Sequence, residues 1–299
     1  MTSTKGYVFA ITSLVFMSLA GPLQKLGSAN SHPLLVTCCS SSVAFLMTLI
    51  VCIFQRKNVF KNFNISVLSL SILYALAMVA FSYSVTLENP FVVSSVARSY
   101  IAFSFLLSLF WLKETKAQNR WPSLLVITLG SLVLSFTAST TETIYMSKGI
   151  VLAFIYAFLF AIHNSFLKRS SYISIVSLLF WQNLLTTFFI VVSIFIHGQI
   201  EGIENTAVVF GGLSGIFSSF WGFLFYHQSI RHLKFSEATA IRAFSPIVAL
   251  LVIAPFFPPK VTPHLIFGFM LILLGHYFYF KSEVEDANTK NRRILSLFK

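Results

Sequence analysis

Apolar runs of about 20 residues, bounded by charge, proline or asparagine, follow one another along nearly the whole chain. Each is long enough to carry an α-helix across about 30 Å of hydrocarbon. The pattern predicts helices near 6–26, 33–54, 65–87, 91–112 and 121–138, then 148–168, 173–196, 207–230, 236–257 and 263–281. Several junctions are tight. Glu88-Asn89-Pro90 joins the third and fourth runs, and proline is excluded from helix interiors but tolerated at a first turn, so these neighbours form an antiparallel hairpin.

The runs repeat. A shift of 143 residues places Lys5, Gly6, Val8, Ala10 and Lys25 on Lys148, Gly149, Val151, Ala153 and Lys168. One residue more places Arg98 on Arg242 and Phe81 on Phe225, and a shift of 145 places Gly130 on Gly275. Five spans per copy is an odd number, which turns the second copy upside down relative to the first, an arrangement found mostly in transporters. The reading is an all-α membrane protein of ten transmembrane helices in two inverted repeats, 1–140 and 145–282, followed by a basic tail, 283–299.

Charge sets the orientation. Of the 21 Lys and Arg, only Lys25, Lys148 and Lys260 fall on one side of the bilayer, Arg98 and Arg242 lie within spans, and the rest fall on the other side. The excess predicts that both termini are cytoplasmic. The tail carries Lys290, Arg292 and Arg293 near Ile294, Leu295, Leu297 and Phe298; it is expected to be a disordered cytosolic end, with the anionic inner leaflet as the alternative resting place.

Composition agrees and excludes other classes. Charged residues are 10% and apolar residues 56% of 299 positions, so ten spans leave only short connections and no sizeable soluble domain. A net charge of +12 would suggest nucleic acid in a soluble protein; here the cations sit in loops and orient the chain, so no nucleic-acid partner is expected. Cys38, Cys39 and Cys52 crowd onto one run and read as small apolar residues rather than a disulfide framework. The first run lacks a small-residue cleavage site and is expected to be retained.

With these features the chain resembles the ten-helix drug/metabolite transporter superfamily, in particular members built from two EamA-type repeats. The resemblance rests on Lys25 and Lys168 near the ends of the first helix of each repeat, the Pro90-to-Glu114 segment ending in Trp111-Leu112-Lys113-Glu114, Trp121 with Gly130, and Pro246. It implies a basket of helices around a central cavity, lined mainly by the first, third, fourth, sixth, eighth and ninth. It also implies substrates drawn from a range that includes amino acids, drugs, choline, purines and S-adenosylmethionine. The chain departs from the pattern at Phe16-Met17-Ser18-Leu19, where a tryptophan is common, at Tyr100-Ile101-Ala102, where a proline is usual, and at Pro258-Pro259, which stand where the first repeat has Glu114.

Within the spans, Arg98 and Arg242 lie six or seven residues from a helix start, roughly 10 Å deep at 1.5 Å per residue. An arginine there costs up to about 3 kcal/mol on insertion scales and faces a cavity or a partner. The two readings are a fork for a carboxylate or phosphate, or snorkelling toward Glu88 and Glu237. His163 and Asn164 replace Ala20 and Gly21 of the first repeat, and His227-Gln228 replace Tyr83-Ser84. His163 is poised to titrate near neutral pH; a wet interfacial histidine is the alternative. Gln182-Asn183, near the midplane, requires partners, and interhelical bonds are favoured over substrate. Tyr83, Tyr100, Tyr156, Trp221 and Phe244 are candidates for an aromatic wall, with lipid-facing or packing rings as the alternative. Gly211, Gly212, Ser214, Gly215, Ser218, Ser219 and Gly222 allow the eighth helix a close approach to its neighbours.

All nine carboxylates fall in loops, tails or span ends, and no metal-ligand spacing or phosphate-cradling loop appears. No cofactor, metal or enzymatic activity is expected. The expectation is a secondary transporter or facilitator in a bacterial inner membrane, monomer or homodimer, moving a small polar metabolite with a negative group, such as an amino acid or derivative, outward. The two repeats would rock around a midplane site, Arg98 at the outer gate and Arg242 at the inner. Import of a nucleoside-like, S-adenosylmethionine-like or choline-like nutrient is the alternative, and a non-transporting membrane scaffold or enzyme is the rival from another class.

Overall fold

The computed structural model describes residues 2–56, 58–60, 63–87, 93, 96–114, 121–136, 147–170, 172–197, 204–245, 247–248, 251 and 263–297, and every regular element among them is helical. The first span is a broken helix, Thr2–Ser18 and Ala20–Gly27. Its break has a local cause: Pro22 has no N–H to give the Ser18 carbonyl four residues back. The second span is Pro33–Phe54, with proline at its first position and the His32 imidazole accepting the Leu34 N–H at 3.3 Å. The third is Ile65–Leu87, capped by Asn64 Oδ1 on the Val67 N–H at 2.9 Å. Tyr100–Phe110 and Trp121–Phe136 represent the fourth and fifth.

Lys148–Arg169 and Ile175–His197 are the sixth and seventh. The eighth is Asn205–Ser214, a π-helical stretch Gly215–Gly222 and Phe223–His232. Phe235–Arg242 opens the ninth, and Pro263–Leu297 is the tenth. Six of these stretches are long and apolar enough to cross a membrane unaided, among them Pro33–Phe54 and Ile65–Leu87, which end where the apolar pattern ends. The start of the fourth span near 91, the end of the ninth near 257, and Glu88, Pro90, Pro246 and Pro258-Pro259 lie outside the described residues. The tail differs from expectation: the tenth helix continues to Leu297. Its 35 residues span about 50 Å, beyond the roughly 30 Å that hydrocarbon requires.

The packing of helices follows the duplication. The first packs on the eighth as the sixth packs on the third; the second packs on the eighth as the seventh packs on the third. The first meets the ninth as the sixth meets the fourth, and the second and seventh, fourth and ninth, and fifth and tenth pair across the pseudo-twofold. The repeats therefore interlock instead of forming two separate bundles. Glycines permit the tightest of these contacts. A Cβ on Gly130 would lie 2.8 Å from the Ile272 nitrogen, and one on Gly275 2.7 Å from Ile127 Cγ1, so the duplicated glycines serve the same interface from both sides.

The outer faces are apolar. Phe54, Ile65, Phe110, Phe195 and Ile196 are each two-thirds or more exposed, far beyond what a water-facing surface carries. Serine, threonine, histidine and asparagine side chains are found inside, several of them fully buried. That inversion places the polar groups where neighbouring helices or a cavity can receive them.

Candidate functional site

A cavity of ≈110 Å³ opens between the first, second, third, sixth, eighth and ninth helices. Alternation of helix direction places it in the half of the bundle away from the chain termini. Gln24 lies three residues from the end of the first span, and Val36 and Thr37 lie in the first turn of the second. One wall is polar and uncharged: Gln24, Thr37, Ser40, Ser214, Ser218 and Ser219. Gln24 Nε2 donates to Thr37 Oγ1 at 3.1 Å, and the hydroxyls of Ser40 and Ser219 meet at 3.0 Å. Met17, Met78, Phe81 and Phe223 supply apolar surface, and Tyr156 and Arg242 complete the opposite wall.

Both irregular stretches of helix border this space. The first span is broken at Leu19, between the lining residues Met17 and Ala20, and the π-helical stretch supplies Ser218 and Ser219. Irregular backbone at membrane depth is tolerated where it lines a cavity or is buried in protein, and π-helical insertions concentrate at functional sites. The eighth helix also comes unusually near its neighbours here. A Cβ on Gly215 would stand 2.5 Å from the Ser40 carbonyl oxygen, and one on Gly222 2.5 Å from Met17 Cγ.

Arg242 is buried at 7% exposure, and among the described residues its Nε and Nη1 have no hydrogen-bond partner. Its guanidinium carbon stands 4.4 Å from the Tyr226 ring centre, 5.0 Å from Tyr100 and 5.4 Å from Phe160. Such aromatic faces stabilise a cation by about 1–2 kcal/mol when desolvated. Glu237 accepts the Lys234 N–H at 3.3 Å at the start of the ninth helix. Arg98 is half-buried and donates from Nη1 to Ser245 Oγ at 2.5 Å, across to the ninth helix. The duplicated arginines thus engage reciprocally, Arg98 with the ninth helix and Arg242 with Tyr100 of the fourth.

Beneath Arg242, toward the termini, lies a second polar group. His163, Asn164 and His227 are fully buried, so neither histidine is a wet interfacial residue despite its proximity to a helix end. Gln182 reaches His163, nitrogen to nitrogen at 2.5 Å, an interhelical bond as expected, while Asn183 turns back to the Leu179 carbonyl at 2.9 Å. The rings of His163 and His227 are 6.2 Å apart, and Tyr74 lies 5.5 Å from His163.

The half nearer the termini is tied shut. Lys168 Nζ donates to the carbonyls of Ile230 (2.6 Å) and Leu233 (2.5 Å), where the eighth helix ends. Glu114 accepts the N–H groups of Phe235 (2.7 Å) and Ser236 (3.1 Å) and the Ser236 hydroxyl (2.7 Å), where the ninth begins. Arg231 donates to the Ile173 carbonyl. A cation at a helix C-terminus and a carboxylate at an N-terminus satisfy orphan backbone groups and complement the helix dipoles.

Of the residues singled out from the sequence, Arg242 lines the cavity, Tyr100 stands behind it, and His163 and Asn164 lie below it. Tyr83 packs instead with Leu34, Leu35, Ile190 and Ile194. Trp221 is 37% exposed and stacks on Phe225 on the outer face. Phe244 packs against His276 of the tenth helix, the tilted rings 3.7 Å apart between centres. Among the described residues, the lining also differs from that implied by the resemblance, because the second helix contributes residues and the fourth does not. Tyr226 and Phe160 were missed. The hydroxyl-bearing Thr37, Ser40, Ser41 and Ser42 of the second run were the available signal for the hydroxyl wall.

Interlocked inverted repeats enclose a cavity with one hydroxyl-bearing wall. The EamA-like transporter family model matches twice, over residues 4–136 and 147–281, and the chain belongs to that family. It is accordingly a multi-pass membrane transporter of small molecules. A solved crystal structure shares the fold at 13% identity, with a TM-score of 0.78, over 93% of this chain and 97% of that one. The sequence comparison with curated proteins gave no significant match.

Proposed function

We propose that the protein is a secondary transporter or facilitator for a small polar metabolite carrying a negative group, an amino acid or a close derivative, moved outward across a bacterial inner membrane. The observation that carries this reading is Arg242: a buried guanidinium on the cavity wall with unpaired Nε and Nη1 donors. Its planar fork suits a carboxylate or phosphate, and the hydroxyl wall opposite suits the remaining polar groups of such a solute. A cationic solute fits less well. The aromatic faces that would hold it are already occupied by Arg242, and no carboxylate lines the cavity.

In this reading, alternating access moves bodies different from the whole repeats. The first, second and eighth helices form one body and the sixth, seventh and third its counterpart, with the fourth and ninth between them. Breaking the Lys168, Glu114 and Arg231 ties while closing the hydroxyl wall would expose Arg242 toward the termini. Arg98, bonded to Ser245, serves the opposite gate. A thermal-shift series tests the ligand class: serine, glycerate, phosphoserine and choline against wild type, Arg98→Gln and Arg242→Gln. Stabilisation by the carboxylates that disappears in Arg242→Gln supports the reading. Stabilisation by choline that survives both changes overturns it.

A further inference from the structure

The His163–His227 pair is the deepest feature that the anion reading leaves unused. Among the described residues, His227 has no hydrogen-bond partner on either ring nitrogen, His163 none on Nδ1, and Asn164 none on its amide. Groups of this kind, left dry, cost several kcal/mol in hydrocarbon, and such clusters mark ion or proton paths when they line the inside of a bundle. The pair lies between Arg242 and the closed half: His163 is six residues before the end of the sixth helix, His227 five before the end of the eighth.

The surrounding charges make the site sensitive to what Arg242 holds. The sixth helix itself adds Tyr156, with Lys168 and Arg169 at its end; the third brings Tyr74; the fourth brings Arg98 and Glu114. The eighth adds Tyr226, Arg231 and His232, and the ninth Lys234, Glu237 and Arg242. The seventh contributes no charged side chain facing the pair, and the first carries Lys5 and Lys25 near its two ends. Both carboxylates are engaged by backbone N–H groups at the start of the ninth helix. Phe160 stands between Arg242 and His163, its ring 5.4 Å from the guanidinium carbon and 6.4 Å from the imidazole.

We propose that the His163–His227 pair takes up one proton in linkage with Arg242, so that an anion seated on Arg242 brings a proton with it. The proposal rests on the anion reading of Arg242. With Arg242 unpaired, a second positive charge beneath it is repelled; with its charge neutralised by a carboxylate, one imidazole nitrogen takes up a proton from bulk solvent, and the charge so formed disfavours a second proton on the neighbouring ring 6.2 Å away. At about 10 Å and an effective permittivity of about 20, that repulsion changes a proton-binding constant about tenfold. Binding linkage is reciprocal, so the anion would bind about tenfold more tightly to the protonated pair.

Nitrogen-15 NMR of histidine-labelled full-length protein in nanodiscs tests this without a substrate, with His163→Gln and His227→Gln assigning the signals. Between pH 4.5 and 7, the ratio of imidazolium to neutral imidazole for the pair is expected to be about tenfold higher in Arg242→Gln than in wild type. Arg242→Lys, which keeps the charge, should match wild type. Tyr100→Glu retains Arg242 and sets a carboxylate beside it, as the anion would, and should reproduce the rise if Arg242→Gln does not fold. Equal ratios in all proteins, or no protonation of either ring down to pH 4.5, overturn the proposal. The anion reading itself fails separately, when ligand stabilisation survives Arg242→Gln.

Discussion

Glu114 and Lys168 act on the two ends of one short turn, the carboxylate on the helix that starts there and the ammonium on the helix that stops. Each replaces backbone partners that the turn lacks, and charge-assisted bonds of this kind contribute about 1.5–3 kcal/mol apiece when partly buried. Glu114→Gln keeps one acceptor oxygen but loses the charge. It is expected to lower stability in a denaturant titration by about 1–2 kcal/mol, with Glu114→Ala costing more than Glu114→Gln; no loss in either would show that the tie is inert. The two arginines were legible because an isolated cation in an apolar run has few explanations. Tyr83 and Trp221 were not separable from Tyr100 and Tyr156 in the same way. Which side of a helix meets a cavity depends on neighbours that a single run does not specify.

Helix bounds were legible almost throughout, because a membrane-spanning segment must satisfy its backbone internally and announces its length in apolar residues. What the apolar pattern does not encode is the departure from regular helix. The eight-residue π-helical stretch arises in a run rich in glycine and serine whose close contacts with Ser40 and Met17 leave no room for side chains. The tenth helix runs past its apolar stretch to Leu297, since the polar tail from Glu283 onward contains neither glycine nor proline to stop it. Glycine pairs make the fifth–tenth contact, where a Cβ on Gly275 meets both Ile127 Cγ1 and the Ile127 nitrogen below 3 Å. Gly275→Leu forces these helices apart and is expected to cost at least about 1–3 kcal/mol. Gly212→Ala, at a position where the nearest atom would be 3.9 Å away, should be near neutral in the same unfolding assay.

Across the molecule, the duplication and its inversion were visible in sequence, but the interlocking of the repeats was not, because sequence register says nothing about which copy a helix packs against. That interlocking defines which cross-links should stop transport. The hydroxyls of Ser41 and Thr187, 2.9 Å apart, join the second and seventh helices, one from each proposed moving body. Ser40 and Ser219 join the second and eighth, both within one body. With Cys38, Cys39 and Cys52 changed to alanine, oxidised Ser41→Cys/Thr187→Cys should abolish exchange and recover it on reduction. Oxidised Ser40→Cys/Ser219→Cys, whose residues line the cavity, should still alternate when read by labelling accessibility from the two sides instead of by exchange, and the opposite pattern would assign the motion to other bodies.

The most direct measurement of the central claim is counterflow in proteoliposomes: a labelled carboxylate that raises the melting temperature of the purified protein, exchanged against the same compound inside. Wild type should accumulate label transiently, Arg242→Gln should fall to the level of protein-free liposomes, and Trp221→Ala and Tyr83→Phe, which lie away from the cavity, should exchange like wild type. Exchange by Arg242→Gln at the wild-type rate would contradict the account.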